Sequence, residues 1–240
     1  MKKISIFIRL FLITFSLIHS TAYSSELLQR IPDPNLKKIY DYYASLSIWE
    51  CDIGEHMPVL KQLGKECPTV VEIGLGLVIS TWGLLQGLSE NSALHRSYLG
   101  IDIAMPPSDN LQLAKDEAER CNISFRFQRV NDLHLQSLEP ADLLFIDSMH
   151  TYCHLTYELE TFSPYIQKYI AMHDTSEPWG DRDDAEYYGN YSEYPSHYDR
   201  SKKGLWPAVV DFLTRHPEWE LEKRYLNCHG FTILKRVVVD

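Results

Sequence analysis

The chain has 240 residues, enough for one sizeable core and too few for three domains. With 45% apolar and 23% charged residues it reads as globular, not disordered. Its net charge of -10, from 23 Lys+Arg against 33 Asp+Glu, argues against a nucleic-acid partner, which needs a clustered basic face.

The first 24 residues differ from the rest. MKKISIFIRLFLITFSLIHSTAYSS has two lysines, an apolar run from Ile4 to Ile18 broken by Arg9, and small residues from Ala22 to Ser25. That order predicts a signal peptide or N-terminal anchor over 1–24, the run being shorter than the ~20 residues of a spanning helix. The protein is therefore expected to be exported (periplasmic or secreted), or held at a membrane by this segment alone. It is cytoplasmic if the segment is an ordinary helix. Cys51, Cys67, Cys121, Cys153 and Cys228 form an odd set without C-x-x-C spacing. Four could pair after export, but buried free thiols are the expectation for at least three.

Residues 25–66 predict a helical cap. IPDP (31–34) breaks the chain, and LKKIYDYYASLSIW (36–49) and EHMPVLKQLGKE (55–66) have helical apolar spacing. From Pro68 strands and helices alternate. Strands are predicted at 69–76, 97–104, 123–130, 141–148 and 168–175, and helices at 79–90, 111–122, 157–167 and 205–216. WELEKRYL (219–226) and GFTILKRVVV (230–239) read as an antiparallel hairpin. Near-continuous apolar strands separated by helices imply a parallel sheet covered on both faces. Ligands of such sheets sit at the carboxyl ends of the strands, where Gly74, Asp102, Asp147 and Asp174 all fall. Residues 176–204 form a long insertion dense in Tyr, Asp and Gly, expected to act as a lid. Its Trp179, Tyr187, Tyr188, Tyr191, Tyr194 and Tyr198 could stack on a sugar or phenolic ring, or serve local packing.

VEIGLG (71–76) is a strand-to-helix turn whose glycines admit a ligand to the backbone. It lacks the third glycine of a dinucleotide fingerprint, where Ile79 stands, and this weakens a nicotinamide-dependent dehydrogenase reading. Asp102, closing the next strand, could grip a ribose diol through paired hydrogen bonds or serve as a turn residue.

The ordered set VVEIGLGLVIS, YLGID, ADLLFIDSMHTY and YIAMHDT resembles class I S-adenosylmethionine-dependent methyltransferases. More narrowly, FIDSMHTY, MHDT, GLWPAVVDFL and WELEKRYLNCHGFTILKR resemble the branch of macrocin-type O-methyltransferases and cephalosporin hydroxylase-like proteins. The resemblance spans residues 67–240. It implies an α/β, Rossmann-like fold with a mostly parallel seven-stranded sheet and a C-terminal antiparallel hairpin. It also implies S-adenosyl-L-methionine as cofactor. Glu72, Gly74 and Gly76 would line the cofactor's amino acid end, Asp102 would take its ribose hydroxyls, and Asp132 would lie near the adenine. Asp147 and Asp174 would ligate a divalent metal, with His173 as a further ligand or polar neighbour, and His150 would stand where relatives carry a base.

The chemistry of these residue types is compatible. Two carboxylates at neighbouring strand ends suit a hard cation such as Mg2+, which could hold an acceptor hydroxyl and lower its pKa. A neutral histidine, of pKa near ~6.5, could take the proton. Each residue also has a plain role: Asp147 as a helix cap, His150 as a loop histidine, His173-Asp174 as a polar strand end. A metal-free mechanism with His150 as sole base is a further option. The expected function is O-methylation of a small-molecule or glycan hydroxyl. The alternative is an exported, non-catalytic binding protein on the same fold. Assembly as a homo-oligomer is left open.

Overall fold

The protein is represented by a computed structural model that describes residues 33–184 and 193–238. The leader over 1–24, the start of the cap, and Tyr187, Tyr188 and Tyr191 lie outside the described residues.

Two helices precede the sheet, α1 (Pro34–Ala44) and α2 (Met57–Glu66). Asp33 caps α1, its carboxylate accepting from Asn35 N at 2.8 Å, and Pro34 supplies a first-turn residue whose missing N–H costs nothing there. The strands are β1 (Thr69–Ile73), β2 (Ser97–Asp102), β3 (Ser124–Arg129), β4 (Ala141–Ile146), β5 (Ile166–His173), β6 (Trp219–Tyr225) and β7 (Phe231–Arg236). Between them run α3 (Ile79–Glu90), α4 (Ser108–Arg120), α5 (Tyr152–Phe162) and α6 (Leu205–Arg215).

All seven strands form one sheet in the order β3-β2-β1-β4-β5-β7-β6. β1 to β5 are mutually parallel, and β7 runs antiparallel to both β5 and β6, so six strands point one way and one the other. The Rossmann-like, seven-stranded fold with a terminal antiparallel hairpin is thereby borne out. One apolar layer holds α1, α2 and α3 through Leu36, Met57, Leu60 and Trp82. The opposite layer holds α5 and α6 through Leu155, Phe162 and Phe212. α3 is buried on nearly every face, since it lies under the cap as well as over the sheet.

The chain crosses from one side of β1 to the other between β3 and β4, which makes the β1–β4 junction the switch point where ligands of such sheets bind. With strands ~4.8 Å apart, the ends of β2, β1, β4 and β5 span roughly 14 Å along this edge.

One helix starts earlier than expected. α5 begins at Tyr152, not 157, because Thr151 caps it by accepting from His154 N at 3.3 Å. His154 consequently rides on the first helical turn and not in a loop. All five cysteines are free and four are buried. No helix among the described residues is long and apolar enough to cross a membrane.

Candidate active site at the carboxyl edge of the sheet

A cleft of about 350 Å³ opens at the ends of β1, β2 and β4, within the ~300–1,000 Å³ usual for small-molecule sites. Gly74, Gly76, Asp102, Asp132 and Asp147 line it, with Ile101, Met149 and Tyr194. Five sequence-predicted residues thus share one wall. Gly74 has φ +88, and a Cβ there would lie 1.9 Å from the carbonyl oxygen of Asp147, so only glycine lets β1 and β4 converge. Gly76 has φ +49 and faces open space, with no atom within 4 Å of where a Cβ would sit.

Asp102 organises the glycine turn. Its Oδ2 accepts from Leu75 N at 2.8 Å and Gly76 N at 3.1 Å, and its Oδ1 accepts from Ala104 N at 2.8 Å. A carboxylate offers about four acceptor positions, so three are committed to the backbone and one faces outward. Asp102 thus serves the turn, the plain role the sequence also allowed, and it lines the cleft.

Glu72 is not part of the cleft lining. It is fully buried behind the turn, where it accepts from Thr81 Oγ1 at 2.8 Å and from the hydroxyls of Ser80 and Tyr98. It ties β1 to the start of α3 and to β2, and the expectation that it lines the cofactor's amino acid end is corrected. The reason is the strand's alternation: Glu72 points to the α3 face while its neighbours Val71 and Ile73 belong to the other apolar layer. Burial drives its pKa up to about 7, against the opposing hydrogen bonds from Ser80, Tyr98 and Thr81.

Beyond β4 and β5 the structure gathers Asp147, His173 and Asp174, with one ligand-type atom from each lying within 4.8 Å of the others. His173 Nδ1 is 3.6 Å from Asp147 Oδ2 and 3.4 Å from Asp174 Oδ2. Its Nε2–H donates to the carbonyl oxygen of Cys228 at 3.0 Å, which orients Nδ1 towards the carboxylates. His150 Nε2 lies 2.9 Å from Asp174 Oδ2 and 3.8 Å from Asp147 Oδ1. His229, from the turn between β6 and β7, brings Nδ1 to 3.3 Å from Asp174 Oδ1, yet neither atom makes a directed hydrogen bond.

The charges balance locally. Burial disfavours the imidazolium of His150, but hydrogen bonds to Asp147 and Asp174 and their negative charges outweigh it and push its pKa up to about 10. His173 is raised in the same way, burial being overcome first by Asp147. Burial would raise Asp147 and Asp174, whereas the two histidines hold both below the usual carboxylate range. With Asp147 and Asp174 free of a cation, the two carboxylates thus favour the protonated form of His150.

A second cluster lies at the cleft wall, with Asp132 and His154 in the lining and Glu158 buried beside them. Asp132, His154 and Glu158 are all buried and also converge within 4.8 Å. His154 Nε2 is 3.0 Å from Asp132 Oδ2, and its Nδ1 is 3.0 Å from the hydroxyl of Tyr194. Glu158 Oε1 accepts from Ser148 Oγ at 2.6 Å, and burial raises the Glu158 pKa to about 8 despite the His154 charge. Asp132, expected near the adenine, lines the cleft, and its carboxylate faces His154. The sequence reading missed His154, Glu158 and His229. The i,i+4 spacing of His154 and Glu158 was the available signal, hidden by the late start assigned to α5. His229 had no signal, because only the fold brings its turn beside β5.

The described part of the insertion packs on this edge. Trp179 stacks on His150 with ring centroids 5.7 Å apart, and Tyr194 is buried against His154. These two aromatics therefore form part of the site's walls.

Residues 71–175 match a family described as a methyltransferase domain. No curated protein matches the sequence. Among solved structures, a Corynebacterium glutamicum protein is 15% identical, with 95% of this chain and 99% of that one covered at a TM-score of 0.53. A Klebsiella pneumoniae protein, provisionally named an O-methyltransferase, is 14% identical, with 86% and 91% covered at 0.50. An O-methyltransferase from Bacillus cereus, solved in complex with SAH, is 16% identical, with 90% and 96% covered at 0.48. At these identities the first two structures establish the fold. Over residues 71–175 the chain is similar to a methyltransferase domain family.

Proposed function

We propose that the protein is an O-methyltransferase that transfers the methyl group of S-adenosylmethionine to a hydroxyl of a small-molecule or sugar acceptor, with a divalent cation at Asp147, His173 and Asp174. The observation that carries this reading is the double membership of Asp147. It belongs to the wall of the cleft and, at the same time, to the carboxylate–histidine cluster beside it. A donor held in the first is adjacent to an acceptor held at the second.

The residues present suit both groups. For the donor, Gly76 leaves the turn open and Asp102 keeps one acceptor position for a hydroxyl. For the cation, Asp174 Oδ1 is buried with no directed donor, and His173 turns a ring nitrogen towards two carboxylates. One nitrogen among oxygen donors favours Mn2+ over the all-oxygen preference of Mg2+. Once bound, such a cation supplies Lewis-acid polarisation that acidifies an acceptor hydroxyl, and the sulfonium supplies an electrophilic methyl group.

The chain's own part is positioning. Gly74 lets the ends of β1 and β4 close up, so Asp147 stands at the cleft. His173 is fixed by the Cys228 carbonyl, and Trp179 covers His150 and keeps water from its ring face. Held geometry of this kind is a large share of the acceleration available to a displacement reaction. Residues 1–24 are proposed to direct export, which N-terminal sequencing of protein recovered from the expressing host checks.

Calorimetric titration of the full chain with S-adenosylmethionine and with NAD, after chelation and again with Mn2+ or Mg2+, tests the reading. Binding of the first nucleotide alone, followed by metal-stimulated methylation of catechol or sugar acceptors, supports it. Failure to bind S-adenosylmethionine overturns it. Undiminished turnover by Asp147→Asn removes the cation from the proposal.

A further inference from the structure

Asp132, His154 and Glu158 are not explained by the reaction proposed above. Burying two carboxylates and an imidazole together is costly unless each polar atom has a partner. Here two atoms have none: Glu158 Oε2 and Asp132 Oδ2 are buried without a hydrogen bond, in residues 0% and 7% exposed. Asp132 Oδ2 nevertheless sits 3.0 Å from His154 Nε2. A 3.0 Å separation serves an imidazolium–carboxylate ion pair and equally matches two ligands of one ion, since donors ~2.1 Å from a common cation stand about 3.0–3.4 Å apart.

The surroundings hold the imidazole in place. The Tyr194 hydroxyl lies 3.0 Å from His154 Nδ1 and 3.6 Å from Met149 Sδ. With a proton on Nδ1 alone, Nε2 would offer its lone pair towards Asp132 and Glu158. A metal-bound histidine is normally oriented by such a bond from its other nitrogen, and the Ser148 hydroxyl on Glu158 Oε1 orients that carboxylate likewise.

We propose that Asp132, His154 and Glu158 bind a second divalent cation of the first-row transition class. One nitrogen and two or more oxygens suit Mn2+, Fe2+ or Zn2+ better than Mg2+. The ion pins the turn after β3 to the first two turns of α5, and through Tyr194 it fastens the end of the insertion over the cleft. This site is separate from the one at Asp147 and does not rest on the catalytic reading.

The test counts Mn2+ bound to chelator-stripped, full-length protein by electron paramagnetic resonance and calorimetry. Wild type is expected to bind two equivalents. Asp147→Asn/Asp174→Asn, which disables only the first site, should keep one, and adding Glu158→Gln should leave none. Retention of that equivalent by a folded triple variant overturns the assignment, as does a double variant that binds no Mn2+. Should the triple variant fail to fold, electron spin-echo modulation on the double variant decides. A coupled imidazole nitrogen confirms His154 as ligand, and its absence refutes the site.

Discussion

Gly74→Ala offers the sharpest test of how the site is built. The new Cβ would sit 1.9 Å from the carbonyl oxygen of Asp147 and 2.5 Å from its carbon, where contacts under 3.0 Å are essentially unknown. Both are backbone atoms, so relief requires the ends of β1 and β4 to part by more than an ångström. That separation strains the bonds from Gly74 N to Ile101 O at 2.9 Å and from Asp147 N to Ile73 O at 2.8 Å. Holding alanine at φ +88 costs about 1–2 kcal/mol, overpacking about 1–3, and each weakened hydrogen bond about 0.5–1.5. The expected loss is about 3–8 kcal/mol, a large part of the ~5–15 kcal/mol typical of a domain. Gly76→Ala is the internal control, because its Cβ meets nothing and only the φ strain, ~1–2 kcal/mol, applies. Urea unfolding followed by tryptophan fluorescence measures both. Equal midpoints for the two variants would refute the close-approach argument, whatever their activities.

Other outcomes follow from the same geometry. Glu72 has a folded pKa raised by burial to about 7 against 4.5 in the unfolded chain, so the folded state holds the extra proton and stability falls as pH rises through that window. The loss is about 3 kcal/mol. Urea midpoints between pH 4.5 and 7.5 should fall for wild type and stay flatter for Glu72→Gln; parallel profiles would count against Glu72 as the buried acid. Asp102→Asn deprives three backbone N–H groups of a shared anion and should cost about 1–3 kcal/mol in thermal unfolding, together with at least a tenfold loss of S-adenosylmethionine affinity by calorimetry. Unchanged affinity would place the ribose elsewhere. Asp147→Asn should leave S-adenosylmethionine binding within about threefold while abolishing Mn2+-stimulated turnover, because only one of its two memberships needs the charge.

The fold was legible because each layer wrote its own pattern. The runs ending at Ile73, Asp102, Ile146 and His173 are apolar enough to demand cover on both faces, and the final pair of strands is too closely spaced for a crossover. Residues at strand ends were legible too, since Gly74, Asp102, Asp147 and Asp174 follow directly from where the runs stop. Orientation across a strand was harder. Glu72 lies within the same motif as the glycines, but alternation turns it away from the cleft towards Ser80 and Tyr98. Contacts made by distant loops were not legible at all. His229 is separated from Asp174 by the insertion, α6 and β6, and only the order β5-β7-β6 returns its turn to the site.

The backbone itself marks the same edge. Among the described residues nine have positive φ, and seven of them are Gly74, Gly76, Val78, Asp174, Cys228, His229 and Gly230. Four of those seven are not glycine, and left-handed geometry costs roughly 1–2 kcal/mol for each side chain that adopts it. Packing alone gives no reason to concentrate that cost where β1, β5 and the last hairpin end. The positions do have a common consequence. Val78 starts α3 under the glycine turn, Asp174 turns its carboxylate back to His150 and His173, and the Cys228–His229 pair aims a carbonyl at His173 and a ring at Asp174. Strain that persists at such points is held there by the surrounding fold. In this chain it is spent on converging donors and acceptors beside the cleft, which is the arrangement a methyl transfer that works by positioning requires.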